Sequence, residues 1–146
     1  MKYANKIVSF FLRLGLPMGR QALLTVPGRK TGLPRTTPVA LNPSENGWLL
    51  VSVYGTVDWV RNLRAAREGV ITWRRRAIPV VSQELAAAEA APMIRDLVRD
   101  LGPVVRSVIG RYFEASPDSP IETWKQEANR HPVFLLTVPM SSEQSF

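Results

Sequence analysis

Leu23-Leu24-Thr25-Val26-Pro27-Gly28-Arg29-Lys30-Thr31-Gly32-Leu33-Pro34-Arg35-Thr36-Thr37-Pro38-Val39-Ala40-Leu41 decides how this chain is to be read. Its two ends, Ala22 to Val26 and Thr37 to Leu41, are apolar and β-branched enough to read as strands. Between them Gly28, Gly32, Pro27 and Pro34 make a turn. Arg29, Lys30 and Arg35 put three cations into that turn, and its backbone N–H groups add further positive ends. A strand–turn–strand of this kind is a hairpin, and its tip has two readings. One is a solvated basic tip; the other is a grip for a phosphate or carboxylate.

Working outward, Glu45-Asn46-Gly47 reads as a second turn and Trp48 to Tyr54 as a third strand, apolar enough to be buried on both sides. Gly55 breaks it. Asp58 stands where an N-cap would open a short helix over Trp59 to Ala66, which Gly69 would end. Val70 to Trp73 and Ala77 to Val81 read as two more strands, with Arg74, Arg75 and Arg76 at the turn between them. From Ala86 the period becomes helical: Met93, Ile94, Leu97, Val98 and Leu101 form an apolar stripe, stopped by Gly102-Pro103. Further helices are expected over Val104 to Phe113 and Ile121 to Asn129, and a last strand over His131 to Val138. This order is α+β, mainly β: an antiparallel, barrel-like sheet with helices packed outside, rather than alternating βαβ units. No Gly-x-Gly-x-x-Gly follows a strand, which disfavours a dinucleotide-binding turn of that kind.

Three segments follow: an N-terminal amphipathic helix over residues 1–20, a barrel domain over 21–140 and a frayed tail over 141–146. In the first, Ile7, Phe10, Phe11 and Leu14 fall at helical spacing, so the helix packs on the barrel, on a neighbouring subunit, or against an anionic membrane surface. Arg13 interrupts its apolar run and no small-residue cleavage site follows, so it is not read as a signal peptide. No stretch is long and apolar enough to span a bilayer, which gives a cytoplasmic expectation.

The chain has 146 residues, a formal charge of +7, one histidine and no cysteine. Without cysteine there is neither disulfide nor thiolate chemistry, and no clustered acidic or histidine motif points to a metal. The basic balance favours an anionic partner. No helix-turn-helix, zinc finger or RNA-binding aromatic motif accompanies it, so nucleic acid is not expected.

Two motifs carry a resemblance. Leu23-Leu24-Thr25 followed by Gly28-Arg29-Lys30-Thr31-Gly32-x-x-Arg35, and then Tyr54-Gly55-x-x-Asp58-Trp59-x-x-Asn62-Leu63, are similar in order and spacing to the deazaflavin-dependent nitroreductase family. The resemblance runs from about Leu23 to Val81 and returns at Pro132 to Pro139. It implies a split antiparallel β-barrel of the flavin-reductase type, related to the pyridoxamine-phosphate oxidase barrels. It implies coenzyme F-420, a deazaflavin with a phosphate and a polyglutamate tail, as the source of hydride for a quinone, an activated enone or a nitro compound. The family is largely actinobacterial.

The same resemblance assigns residues. Arg29, Lys30 and Arg35 would meet the phosphate and tail, with Thr31 and Gly32 in the same turn. Thr37 and Pro38 would lie along the deazaflavin. Val51, Ser52, Val53 and Tyr54 would face its ring, and Asp58, Trp59 and Asn62 would close the site. Tyr54 and Ser52 are the catalytic candidates as proton donors, with Tyr112 beside them. Some members carry a lysine where this chain has Tyr54, and several C-terminal tyrosines where it has Ile121, Glu122, Thr123 and Trp124. Quinone or enone reduction is therefore expected ahead of nitroimidazole reduction. Three alternatives stay open: flavin mononucleotide (FMN) in the same barrel, a non-enzymatic cofactor carrier, or a basic binding protein. The expected partners are a small-molecule electron acceptor and a second copy of the chain.

Overall fold

The computed structural model describes residues 20–100 and 112–139. The expected N-terminal helix, the tail, and all but the last two residues of the helix expected over Val104 to Phe113 lie outside them. Six strands are present: β1 (Arg20–Pro27), β2 (Pro34–Ser44), β3 (Gly47–Val51), β4 (Glu68–Trp73), β5 (Arg76–Glu84) and β6 (Val133–Thr137). They close into an antiparallel barrel in the order β1-β2-β3-β6-β5-β4. Helix α1 (Asp58–Ala66) falls between β3 and β4; α2 (Ala87–Arg99) and α3 (Ile121–Arg130) precede β6.

Strand alternation builds two cores from one wall. On β6, Phe134 and Leu136 point into the barrel with Leu24, Val26, Val39, Leu41, Leu50, Ile71 and Val80. Val133, on the other face, joins Ala90, Ala91, Ile94, Val98 and Trp124 of α2 and α3. Helix α1 contributes Val60 and Leu63 to the barrel core, both fully buried. Its apolar residues thus seal the barrel rather than the outer layer.

The fold follows the sequence expectation, with three local corrections. The third strand ends at Val51 rather than Tyr54. Ser52 leaves the ladder to donate its amide to Pro132 O (2.9 Å), and Gly55 takes φ +86° to complete the turn. Asp58 is not the N-cap of α1: Val57 holds that place, and Asp58 opens the helix, where its carboxylate faces the positive helix end. Gly69 does not end α1. Arg67 does, at φ 59°, while Gly69 lies in β4, where a Cβ would stand 2.9 Å from Thr25 O. The backbone of β1 thus decides why glycine is needed there.

Among the described residues no helix is long and apolar enough to cross a membrane. Replacing Phe134, which is 1% exposed, by alanine should cost about 3–5 kcal/mol in urea unfolding. Val81→Ala, at a position 40% exposed on the same barrel, should stay within about 0.5 kcal/mol.

Candidate active site

The β1–β2 turn is tied down before it can bind anything. Gly28 donates its amide to Leu33 O and Gly32 donates to Gly28 O, each at 2.8 Å. Leu33 donates to Thr31 Oγ1 (3.2 Å). The Arg29 amide and its Nη1 both donate to Asn62 Oδ1, at 3.1 and 2.8 Å. These four amides are committed inside the protein, so the turn holds an anion through side chains rather than through a ring of free N–H groups. Arg29 is itself a strut, since its guanidinium also stands 3.6 Å from Asp58 Oδ1. Asp58 shares that carboxylate oxygen with Arg61 at the same distance. Lys30 and Arg35 enter no ion pair among the described residues.

A polar groove of about 610 Å³ runs over this turn. Lys30, Arg35, Thr31, Thr36 and Thr37 line one side of it; Asp58, Trp59 and Asn62 of α1 line the other. Trp59 also forms part of the adjoining apolar slot, bounded by Pro38, Val39, Ala40 and Asn42 of β2 and by Leu50 to Tyr54. The slot is narrow, about 40 Å³, room for only a water or two. Thirteen of the fourteen residues singled out from the sequence line one or the other cavity, and Trp59 is common to both. Arg29 and Asn62 line the groove while bonding to each other, and Gly32 is turned away, lining a different cavity beside β4 and β5. That leaves Lys30 and Arg35 as the cations open to a ligand.

The two proton-donor candidates differ in what they have to give. The Ser52 hydroxyl donates to Gly55 O and Ser52 is 2% exposed. Tyr54 is 37% exposed, and its ring meets Tyr112 edge-on, with centroids 5.0 Å apart. Burial, and then the neighbouring Tyr112 phenol, raise the Tyr54 pKa above the usual tyrosine value. A raised phenol pKa keeps the proton on through neutral and mildly alkaline pH.

Trp124 is not at the site: it is fully buried between α2 and α3, donating its indole N–H to Ser116 O (3.1 Å). Sequence reasoning missed Ala40 and Asn42, which the strand period carries onto the Pro38 face of β2, and Thr36 in the groove. It gave His131 no place in the site. The ring of His131 lies behind the slot, with Nδ1 3.1 Å from Ser52 O and Nε2 2.8 Å from Tyr112 O. No local pattern signals a contact across 79 residues. No group of histidine and carboxylate side chains that could hold a metal is found among the described residues.

A family profile described as F420H2-dependent quinone reductase matches residues 11–107, well over half of the chain. No curated protein matches the sequence. Among solved structures, the chain is similar to a pyridoxamine 5′-phosphate oxidase-related, FMN-binding protein from Nostoc punctiforme (TM-score 0.55, 11% identity, 95% of this chain and 81% of that one). It is also similar to a FAD-binding protein from Mesorhizobium loti (0.50, 15%, 88% and 89%), and to a chain described as a domain-swapped dimer (0.54, 16%, 92% and 97%). At these identities the structures speak for the fold, a split barrel.

Two outcomes follow from the site. Asn62→Ala removes the acceptor of both Arg29 bonds and should cost about 1–3 kcal/mol in chemical unfolding. In a spectrophotometric titration Tyr54 should ionise above the usual tyrosine range, and in Tyr112→Phe its midpoint should move down while burial keeps it raised; an unchanged midpoint would refute the pairing.

Proposed function

This chain belongs to the family of F420H2-dependent quinone reductases, and we propose that it reduces a small electron-poor acceptor, a quinone or an activated enone, with nitro compounds as secondary substrates. One observation carries the reading: a basic groove adjoins an apolar slot, with Trp59 in the lining of both. A planar ring bearing an anionic arm needs that combination, and the donor chemistry here fits it. Lys30 and Arg35 offer charge-assisted bonds to phosphate or carboxylate oxygens. Pro38, Ala40, Val51, Val53 and Trp59 offer apolar surface to a ring.

When bound, the reduced deazaflavin of this family supplies a hydride; the protein supplies place and proton. The Lys30–Arg35 side of the groove fixes the anionic arm and so sets where the ring lies. The slot is too narrow as it stands for a ring, so binding requires its walls to part. The fixed wall is β2; the other, Val53 to Tyr54, belongs to a turn outside the ladder. Exclusion of water by Leu50, Val51 and Trp59 protects the transfer from competing solvent. Tyr54 is the donor in reach of the slot and of solvent, so it can protonate a reduced acceptor oxygen and regain the proton from water. Ser52, whose proton is engaged by Gly55, holds the turn in shape. We carry a homodimer forward as the assembly, on the precedent of the domain-swapped fold relative, and contact of the amphipathic N-terminal sequence with a membrane surface as a further proposal.

The test is a fluorescence titration with oxidised coenzyme F-420. Wild-type protein should bind, and a Lys30→Ala, Arg35→Ala double variant should bind about tenfold more weakly, equivalent to about 1.4 kcal/mol. Saturable binding of FMN with none of F-420 would move the assignment to a flavin reductase. An unchanged affinity in the double variant would show that the groove does not hold the anion.

A further inference from the structure

We infer that His131 is a positioning residue for the acceptor side of the site, setting the Tyr54–Tyr112 pair by holding two backbone carbonyls at once. Its consequence for catalysis rests on the function proposed above; its geometry does not.

The turn after β3 and the loop at Tyr112 belong to no helix or strand. Their places depend on what bolts them, and the bolts converge on one short stretch. Ser52 donates its amide to Pro132 O. His131 Nδ1 meets Ser52 O at 3.1 Å and Nε2 meets Tyr112 O at 2.8 Å. The amide of Glu114 donates to Glu127 Oε1 (3.1 Å). Two residues past one held carbonyl, and at the other, stand the two rings that meet edge-on.

A carbonyl oxygen only accepts, so both contacts of His131 are bonds only if both ring nitrogens carry hydrogen. That donor set belongs to the imidazolium; a neutral ring serves one carbonyl and turns a lone pair on the other. The surroundings supply the counter-charge. Glu127, on α3, is fully buried, and its Oε2 has no hydrogen-bond partner among the described residues and lies 3.5 Å from Nε2. Arg130, also on α3, holds Glu127 Oε1 at 2.6 Å and reaches Glu114 at 3.0 Å. Phe113 packs against the imidazole, tilted by 32°, at a centroid distance of 4.3 Å, and the Tyr112 ring meets that of Tyr54. Beside the ring, Arg130 pairs with both Glu127 and Glu114, so the buried carboxylate has a cation next to it.

Serine, histidine and glutamate thus converge without forming a nucleophilic triad. His131 faces the Ser52 carbonyl, and the Ser52 hydroxyl turns to Gly55. The histidine acts through the backbone on the shape of the slot mouth.

His131 is the only histidine, so its ring nitrogens give an unambiguous ¹⁵N spectrum. In the cofactor-free protein, at the pH of the binding assay, both nitrogens should be of the protonated type, and ring protons of Tyr54 and Tyr112 should show a mutual NOE. His131→Asn keeps a donor near the Nδ1 place and His131→Gln one near the Nε2 place, so each retains one bolt. Each should lose the NOE and raise the acceptor KM about tenfold. F-420 affinity, carried by the Lys30–Arg35 groove, should move much less. One unprotonated ring nitrogen in the wild type, or folded variants with the NOE and KM unchanged, would overturn the inference. If the variants do not fold, the wild-type spectrum decides. If wild-type protein binds no F-420, the function proposed above fails, while the NMR readouts still decide the role of His131.

Discussion

The Asn62 side chain is where the barrel and the site become one object. Its amide oxygen accepts from the main chain and the guanidinium of Arg29. One residue on, Leu63 is fully buried in the barrel core. A helical turn that seals the barrel therefore also sets the height of the basic hairpin above it. The β1–β2 ladder alone leaves a long tip free to pivot, whereas a bond from its second turn residue to α1 does not. The backbone that carries Lys30 and Arg35 is thereby held at a set height over the barrel.

Strand β6 plays the matching part on the other side. Phe134 and Leu136 complete the barrel interior, and Val133 completes the helical layer. The residues immediately before it, His131 and Pro132, reach back to Ser52. The slot is thus held between a ladder strand, β2, and a turn bolted from behind. β2 is paired on both edges, whereas Val53 and Tyr54 lie in a turn outside the ladder.

Much of this was legible in the residues. The hairpin, the glycine at the β3 turn, the helix after Asp58 and the helical period from Ala86 each follow from local chemistry, and two motifs together pointed to the family. The departures have local physical causes too. Trp48 to Tyr54 is apolar but for Ser52, so pattern alone does not reveal that the chain turns away there to meet Pro132. Gly69 looks like a helix stop because glycine often is one; its reason is the Thr25 carbonyl across the ladder. Arg67 in a left-handed conformation carries no sequence signal.

Composition and local pattern determined the class of strands and helices, the basic turn, the absence of thiol chemistry and the residue types offered to an anion and a ring. They did so because turn geometry, strand alternation and charge are properties of neighbours in the chain. Tertiary structure alone decided which cations are free and which are struts, since Arg29, Lys30 and Arg35 are equivalent until Asn62 and Asp58 arrive from another element. It also decided the surroundings of His131, a lone histidine by sequence. Only the closed barrel brings the carbonyls of Ser52 and Tyr112 to its two nitrogens, and only the packing of α3 places a buried carboxylate beside it.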